Sequence, residues 1–171
     1  EVLDRPDDRI NNLNLERFSW KKNGKKILIC PISKKSSMVY NIDADKWLEG
    51  TINTIRLHSD RPIVVREKPP IRRNRIRENS LIKALDDDIF CLVTYNSIAA
   101  VESIYYGIPA FTLGENAASM VAECDLSKIE NPSYPDREMW LRNIAYSQFT
   151  CEEMKNGVAI NILKNDSIGQ S

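Results

Sequence analysis

Residues 89–113 read IFCLVTYNSIAAVESIYYGIPAFTL. The run 89–94 is short, apolar and rich in β-branched and aromatic side chains, and 109–113 repeats that character. Such runs fit strands covered on both faces, as in a parallel sheet. Between them, Ile98, Val101, Ile104 and Tyr105 recur at helical spacing, which predicts a helix over 98–106 with one apolar face for the sheet. Gly107 fits the helix end, where the chain often needs a positive φ that glycine takes without steric cost. The whole is one βαβ unit. Ligands of open α/β sheets sit outside the carboxyl ends of the strands, and that edge here carries Thr94, Tyr95, Asn96 and Ser97 at a helix start, where free N–H groups suit an anion. A plain helix cap by Asn96 or Ser97 explains the same residues equally well.

The 171 residues make about one domain, long enough for a core of its own. With 42% hydrophobic and 28% charged residues and a formal net charge of zero, the composition is that of an ordinary globular protein and implies no general affinity for polyanions. No apolar run approaches the roughly 18 residues of a membrane span. The start, EVLDRPDDRI, is too polar and acidic for a secretory signal and lacks an initiator Met, so a fragment is one expectation. Cys30, Cys91, Cys124 and Cys151 lie far apart without a CxxC pair, which predicts reduced thiols and a cytoplasmic setting. His58 is the single histidine, too little for a Cys/His zinc site or a Ser-His-Asp triad. Chemistry must therefore use carboxylates, Lys, Arg, hydroxyls or backbone groups. No metal or other cofactor is expected; Asp43-Ala-Asp45 has chelating spacing but reads as a helix cap.

In chain order, residues 1–24 are a polar lead-in with Leu13, Leu15, Phe18 and Trp20 as anchors, 25–163 form a single Rossmann-like domain, and 164–171 are a disordered tail. Residues 26–32 are the first strand. Its exit, SKKSS (33–37), reads as a flexible loop in which Ser33, Lys34 and Ser36 are candidates for phosphate contact, although a solvated loop looks the same. A helix follows from Asp43 or Asp45 to about His58, on Trp47, Leu48, Ile52, Ile55 and Leu57. His58 at its end suits the helix dipole. The second strand is 61–66. Beyond it, residues 61–77 gather Arg61, Arg66, Lys68, Arg72, Arg73, Arg75 and Arg77 against Glu67 alone, while Pro69 and Pro70 stop the strand. Three readings remain open for this basic run: it holds the phosphates of a small ligand, it touches a nucleic acid backbone, or it is a solvated loop balanced by Asp86, Asp87 and Asp88. A short helix over 79–87, capped by Asn79 or Ser80, leads into the βαβ unit. After it come a turn at 114–116, a helix over 117–124, and a Pro-containing loop at 131–135. The chain closes with a helical pair, one helix capped by Asp136 and one by Thr150, which makes a capping box with Glu153. The fold class predicted is α/β, a Rossmann-like doubly wound parallel sheet with helices on both faces and a closing C-terminal helical pair.

The run Ser97-x4-Glu102-x4-Gly107-x-Pro109 resembles the nucleotide-sugar signature in the second domain of GT-B-fold glycosyltransferases. The segments REKP (66–69), TYNS (94–97) and DREMWLRNIAYSQFTCEE (136–153) are similar to those of phage-type and capsule-type glycosyltransferase relatives. The resemblance covers most of residues 20–163 and implies a nucleotide-sugar-binding domain. It places Asn96 and Ser97, with Thr94, toward the phosphates, Glu102 on the ribose hydroxyls, Arg66 and Lys68 on the leaving phosphate, and Gly107 and Pro109 at the helix-to-strand turn. Lys68 stands where such relatives often have histidine, so it offers only a point charge.

The activity so implied is transfer of a sugar from a nucleoside-diphosphate or CMP donor to an unknown acceptor. Glu115 is the single candidate for a catalytic base. A two-domain enzyme carries its acceptor site on the other domain, so a missing N-terminal domain or a partner chain is implied. The alternatives are a non-catalytic nucleotide- or phosphate-binding or partner-docking module, half of a nucleotide-sugar epimerase, and nucleic-acid binding through 61–77.

Overall fold

The computed structural model describes residues 3–67 and 81–168, the last four for their backbone alone. It is an α/β structure around a four-stranded, all-parallel sheet. In chain order the elements are α1 (Asp8–Asn12), β1 (Lys26–Cys30), α2 (Lys34–Tyr40), α3 (Ala44–Arg56), β2 (Ile63–Val65), α4 (Leu81–Leu85), β3 (Ile89–Thr94), α5 (Ala99–Tyr105), β4 (Ala110–Thr112), a 3-10 turn (Leu126–Lys128), α6 (Glu138–Tyr146), α7 (Cys151–Lys155) and α8 (Val158–Ile168). Two compact units are present: residues 16–136, which hold the sheet, and residues 1–15 with 137–171. The sequence boundary drawn at 24/25 does not coincide with this division.

The strand order β2-β1-β3-β4 follows from burial. All six residues of β3 are buried, as are the last four of β1, so these strands take the centre. Ile27, Ile29, Cys91, Val93 and Phe111 form one core face with Ile55 of α3, Leu126 and Ile129, flanked by Trp47, Leu48 and Ile52. Alternation sends Leu28, Leu92 and Ala110 to the other face, where α5 packs on β3 and β4. A register shift between Lys26 and Ile27 makes Phe90 an extra residue in β3, which is how Phe90 reaches the Cys91 side. The edge of β4 is covered by Glu123, whose N–H donates to the Ala110 carbonyl at 3.0 Å and whose carbonyl accepts from Thr112 N at 2.8 Å.

The chain before β1 is strapped to this unit. Lys21 N–H donates to the Gly107 carbonyl at 2.7 Å, and Phe18 packs on Tyr105 and Tyr106 at 5.3 and 5.1 Å. Trp20 stands edge-on to Tyr134 and donates its indole N–H to the Pro135 carbonyl. Gly107 has φ +82°, and a Cβ there would lie 2.1 Å from the Ser19 carbonyl oxygen. Conformation and space therefore both demand glycine.

Several local expectations are corrected. Residues 33–37 do not form a loop: Ser33 accepts from Ser36 N–H and caps α2, which ends on left-handed Asn41. Residues 117–124 are turns rather than a helix, because Glu123 is drawn out to pair with β4. Asp136 does not cap α6; Arg137 occupies that position without a side-chain cap bond. The Thr150–Glu153 capping box forms as expected. The helix it starts breaks at Gly157 (φ +77°) into α7 and α8, and α8 continues to Ile168, into the segment expected to be a disordered tail. Lys68, the prolines at 69 and 70, the rest of the basic run to Arg77 and the Asn79/Ser80 cap lie outside the described residues.

In the unit formed by the two chain ends, Arg9 is buried. Its guanidinium donates to Glu153, to the Ala145 carbonyl at 2.9 Å and to the Gln148 carbonyl at 2.6 Å. It also stacks over Tyr146 and Phe149. One side chain thus ties α1 to the end of α6 and the start of α7. The Arg9 hydrogen bond, with the Thr150 backbone N–H, holds the Glu153 carboxyl down at about 2.

Two tests follow from these contacts. Gly107→Ala is expected to destabilise the protein by at least about 2 kcal/mol in chemical denaturation, from left-handed strain plus the clash with Ser19. Because the folded-state pKa of Glu153 is depressed, its contribution is full above the unfolded carboxyl value and is lost as pH falls toward 2. Thermal melts from pH 5 to pH 2 should therefore drop steeply for the native chain, whereas Arg9→Met should start lower and fall less.

Candidate functional site

The connection from β1 leads to β2 on one side, and the chain then returns to lay β3 on the other. This places a topological switch point between the carboxyl ends of β1 and β3, the position where open α/β sheets form a ligand crevice. Cys30 ends β1, Thr94 ends β3, and Arg66 follows β2 by one residue.

Thr94 is fully buried, and its hydroxyl donates to the Cys30 carbonyl at 2.7 Å. The hydroxyl expected to face a phosphate is thus taken up in locking the two central strands together at the crevice floor. Arg66 is held by its backbone, which donates to the Ile29 carbonyl at 2.9 Å, and its positive charge pulls the Cys30 thiol down. The Glu102 carboxylate, one turn into α5, acts on the same sulfur. Burial pushes the Cys30 thiol up to about 11, against the opposing pull of Arg66. Two side chains far apart in sequence and opposite in charge therefore bias the same thiol in opposite directions.

Beside them, Tyr95 and Asn96 form a half-buried turn and Ser97 enters α5. Ser97 Oγ accepts from Ala99 N–H at 3.2 Å, just ahead of α5, whose N-cap position is Ile98. Tyr95 is wedged by the next strand's exit: its carbonyl accepts from Gly114 N–H at 2.8 Å, and a Cβ at Gly114 would fall 2.8 Å from the Tyr95 ring. Glu115 follows, exposed, at the same sheet edge. Ser33 and Ser36 hydroxyls bond each other at 3.0 Å across the start of α2, and Lys34 is exposed there. Gly107 and Pro109 are buried at the opposite end of α5, where Leu92 N–H donates to the Pro109 carbonyl. Asp43 caps α3 through Asp45 and Lys46 N–H groups, and among the described residues no cluster of three His, Cys, Asp or Glu side chains is placed to hold a metal ion.

Among the described residues, the aspartates before β3 pair with lysines at the start of the sheet unit. Asp87 pairs with Lys26 at 2.8 Å, Asp86 with Lys21 at 3.7 Å and Asp88 with Lys25 at 3.8 Å. These are surface pairs worth little individually.

An open depression lies at the other end of the sheet, between the end of α3 and the start of β2, lined by Arg56, His58, Ser59, Arg61 and Glu130. Its charges satisfy one another. Arg61 donates to both Glu130 oxygens and to the Gly24 carbonyl while lying over Phe90 at 3.6 Å, and Ser59 donates to Glu130. Arg56 donates to the Ser59 and Arg61 carbonyls. That is a structural clasp. His58, expected to close α3, is an exposed residue just beyond it.

Sequence patterns pointed to Arg66, Glu102 and the 95–97 turn, but not to Cys30, Tyr40 or Trp47. Cys30 read as one more apolar strand residue. Tyr40 and Trp47 both stand edge-on to Tyr95, at 5.5 and 6.4 Å.

The comparisons add no family. Protein-family models, curated proteins and solved structures gave no match to this chain.

Burial and pKa together set a chemical test. Cys30 and Cys91 are buried, each with its thiol raised chiefly by desolvation, whereas Cys124 and Cys151 are exposed. Iodoacetamide at pH 8 should label the two exposed cysteines within minutes and leave the strand pair unmodified until the protein unfolds. Labelling of Cys30 at the same rate as Cys124 would contradict a closed crevice floor.

Proposed function

We propose that this chain binds a nucleotide sugar at the carboxyl ends of β1 and β3 and forms the donor half of a glycosyltransferase of the GT-B kind. The observation that supports the reading is the switch point itself, where the Thr94 hydroxyl locks the carboxyl ends of β1 and β3 and Arg66 leaves β2 at the same edge. A diphosphate needs fixed positive charge, and a ribose needs an acceptor for its hydroxyl protons. Arg66 supplies the first and Glu102 the second. Both are half-buried, so their charges are less screened than on open surface.

In this mechanism the anomeric carbon loses the nucleoside diphosphate and gains an acceptor oxygen. Negative charge grows on the departing phosphate, and the Arg66 guanidinium stabilises it because it is already positioned. Glu102 orients the donor through the ribose. Glu115, exposed at the exit of β4, is the chain's own candidate to take the acceptor proton. The acceptor site belongs to a further domain or a partner chain.

Binding without transfer is the second reading. It is favoured by the engagement of the Thr94 hydroxyl in locking the strands.

Calorimetric titration with UDP-, GDP- and CMP-sugars tests both. One of them is expected to bind, with Arg66→Ala and Glu102→Ala each weakening it roughly ten- to hundredfold, the value of a charge-assisted hydrogen bond of about 1.5–3 kcal/mol. Unchanged affinity in both variants would exclude the site. A steeply salt-dependent affinity for DNA without any for nucleotide sugars would move the function to nucleic acid.

A further inference from the structure

We propose that the open edge of β2 pairs with the same edge of a second copy of this chain, antiparallel about a twofold axis at Val64, so that two sheets join into one. The two edges of the sheet are finished differently. At β4 the edge is covered by Glu123, which bonds both Ala110 and Thr112. On the other side the sheet ends with β2. Its ladder to β1 is fixed by Ile27 N–H donating to the Pro62 carbonyl and Arg66 N–H donating to the Ile29 carbonyl, both at 2.9 Å. Alternation then turns the backbone groups of Val64 toward β1 and those of Ile63 and Val65 outward. Among the described residues, nothing bonds these outward N–H and C=O groups. Nor does β2 carry the usual guards against edge pairing, since Ile-Val-Val has neither a charge nor a bulge. Pro62 lies on the β1 side of the alternation, so its missing N–H leaves the outer edge intact. Val64 and Val65, on opposite faces of the sheet, are 36% and 41% exposed.

Self-complementarity decides the occupant. With Val64 on the axis, Val64 meets Val64 as a non-hydrogen-bonded pair, and Ile63 of each copy meets Val65 of the other and exchanges both backbone bonds with it. Every cross-strand pair along β2 is then branched aliphatic on branched aliphatic, a combination that sheets favour. Arg61 and Glu67 flank the ladder at its two ends. The same register brings Glu67 of each copy toward Arg61 of the other, whereas copies stacked parallel and in register would set like charges side by side. So short an edge covers less than a standard interface, which makes the pair weak and confines it to high chain concentration.

The experiment is sedimentation equilibrium of the chain from about 10 µM to about 1 mM, since a self-pairing equilibrium is set by concentration. The average mass should rise from 19.6 kDa toward twice that value. Val64→Lys opposes two ammonium groups on the axis, and Val65→Pro removes an outward N–H while sparing the bonds to β1. Both should melt like the native chain and keep the monomer mass at every concentration. A cysteine test fixes the register, on a chain whose exposed Cys124 and Cys151 are replaced by serine. Val64→Cys should give a disulfide-linked dimer on mild oxidation, because the Cα atoms of a non-hydrogen-bonded pair stand about 4.5 Å apart. Pro62→Cys should not, because its two copies would lie about 13 Å apart along the strands at roughly 3.3 Å per residue. A native chain that stays monomeric throughout would overturn the pairing and leave the edge to an extended segment of another protein. Association that persists in both edge variants, no cross-link at position 64, or equal cross-linking at 62 and 64 would overturn it by placing the contact elsewhere.

Discussion

The pairing of β1 with β3 is the constraint on which the remainder of the sheet unit depends. Both strands are buried on both faces, so every backbone group must find its partner in the ladder, and an unpaired one would cost about as much as a lost hydrogen bond. The Thr94 hydroxyl fixes the end of that ladder on the Cys30 carbonyl. With the two strand ends locked, the residues that leave them have little freedom. Arg66 is brought in by its own backbone bond to Ile29, Tyr95 is set against Gly114, and Glu102 is aimed by the short helix that Gly107 terminates.

The same constraint explains why the two ends of the sheet behave differently. At the amino end, Arg61, Glu130, Ser59 and Arg56 close on one another, and Lys21, Lys25 and Lys26 pair with the aspartates before β3. Charges there are spent on holding connections together. At the carboxyl end, Arg66 and Glu102 act in opposite directions on the Cys30 thiol, which burial keeps neutral. This asymmetry, more than any single motif, gives the functional reading its direction.

Much of the sheet was legible in sequence because its signals are local. Buried strands show as short apolar runs, Gly107 marks a helix end that needs positive φ, and Thr150 with Glu153 makes a box whose two bonds lie within one turn. The misread segments depended on partners distant in sequence. Residues 117–124 look helical by composition, yet Glu123 is recruited to β4. The SKKSS segment looks like a loop, yet Ser33 finds Ser36 and starts a helix. Gly157 interrupts a helix whose flanking residues all favour one, because its φ is left-handed. Arg9 read as one charge in a polar lead-in, since nothing near it in sequence announces the carbonyls of residues 145 and 148. In the site, topology alone brought the segments after β1, β2 and β3 to one edge. Cys30 and Tyr40 carried no sequence signal, because a thiol at a strand end and a tyrosine at a helix end are commonplace until their neighbours are known.

The most direct measurement of the central claim is a backbone amide NMR titration of the chain with a nucleoside diphosphate. Shifts are expected to concentrate in residues 31–37, 66–67, 95–98 and 114–116, the carboxyl edge around the β1–β3 lock. Shifts centred on residues 56–61 and 130 at the opposite end of the sheet, or spread over the surface without saturation, would contradict a ligand crevice at the switch point.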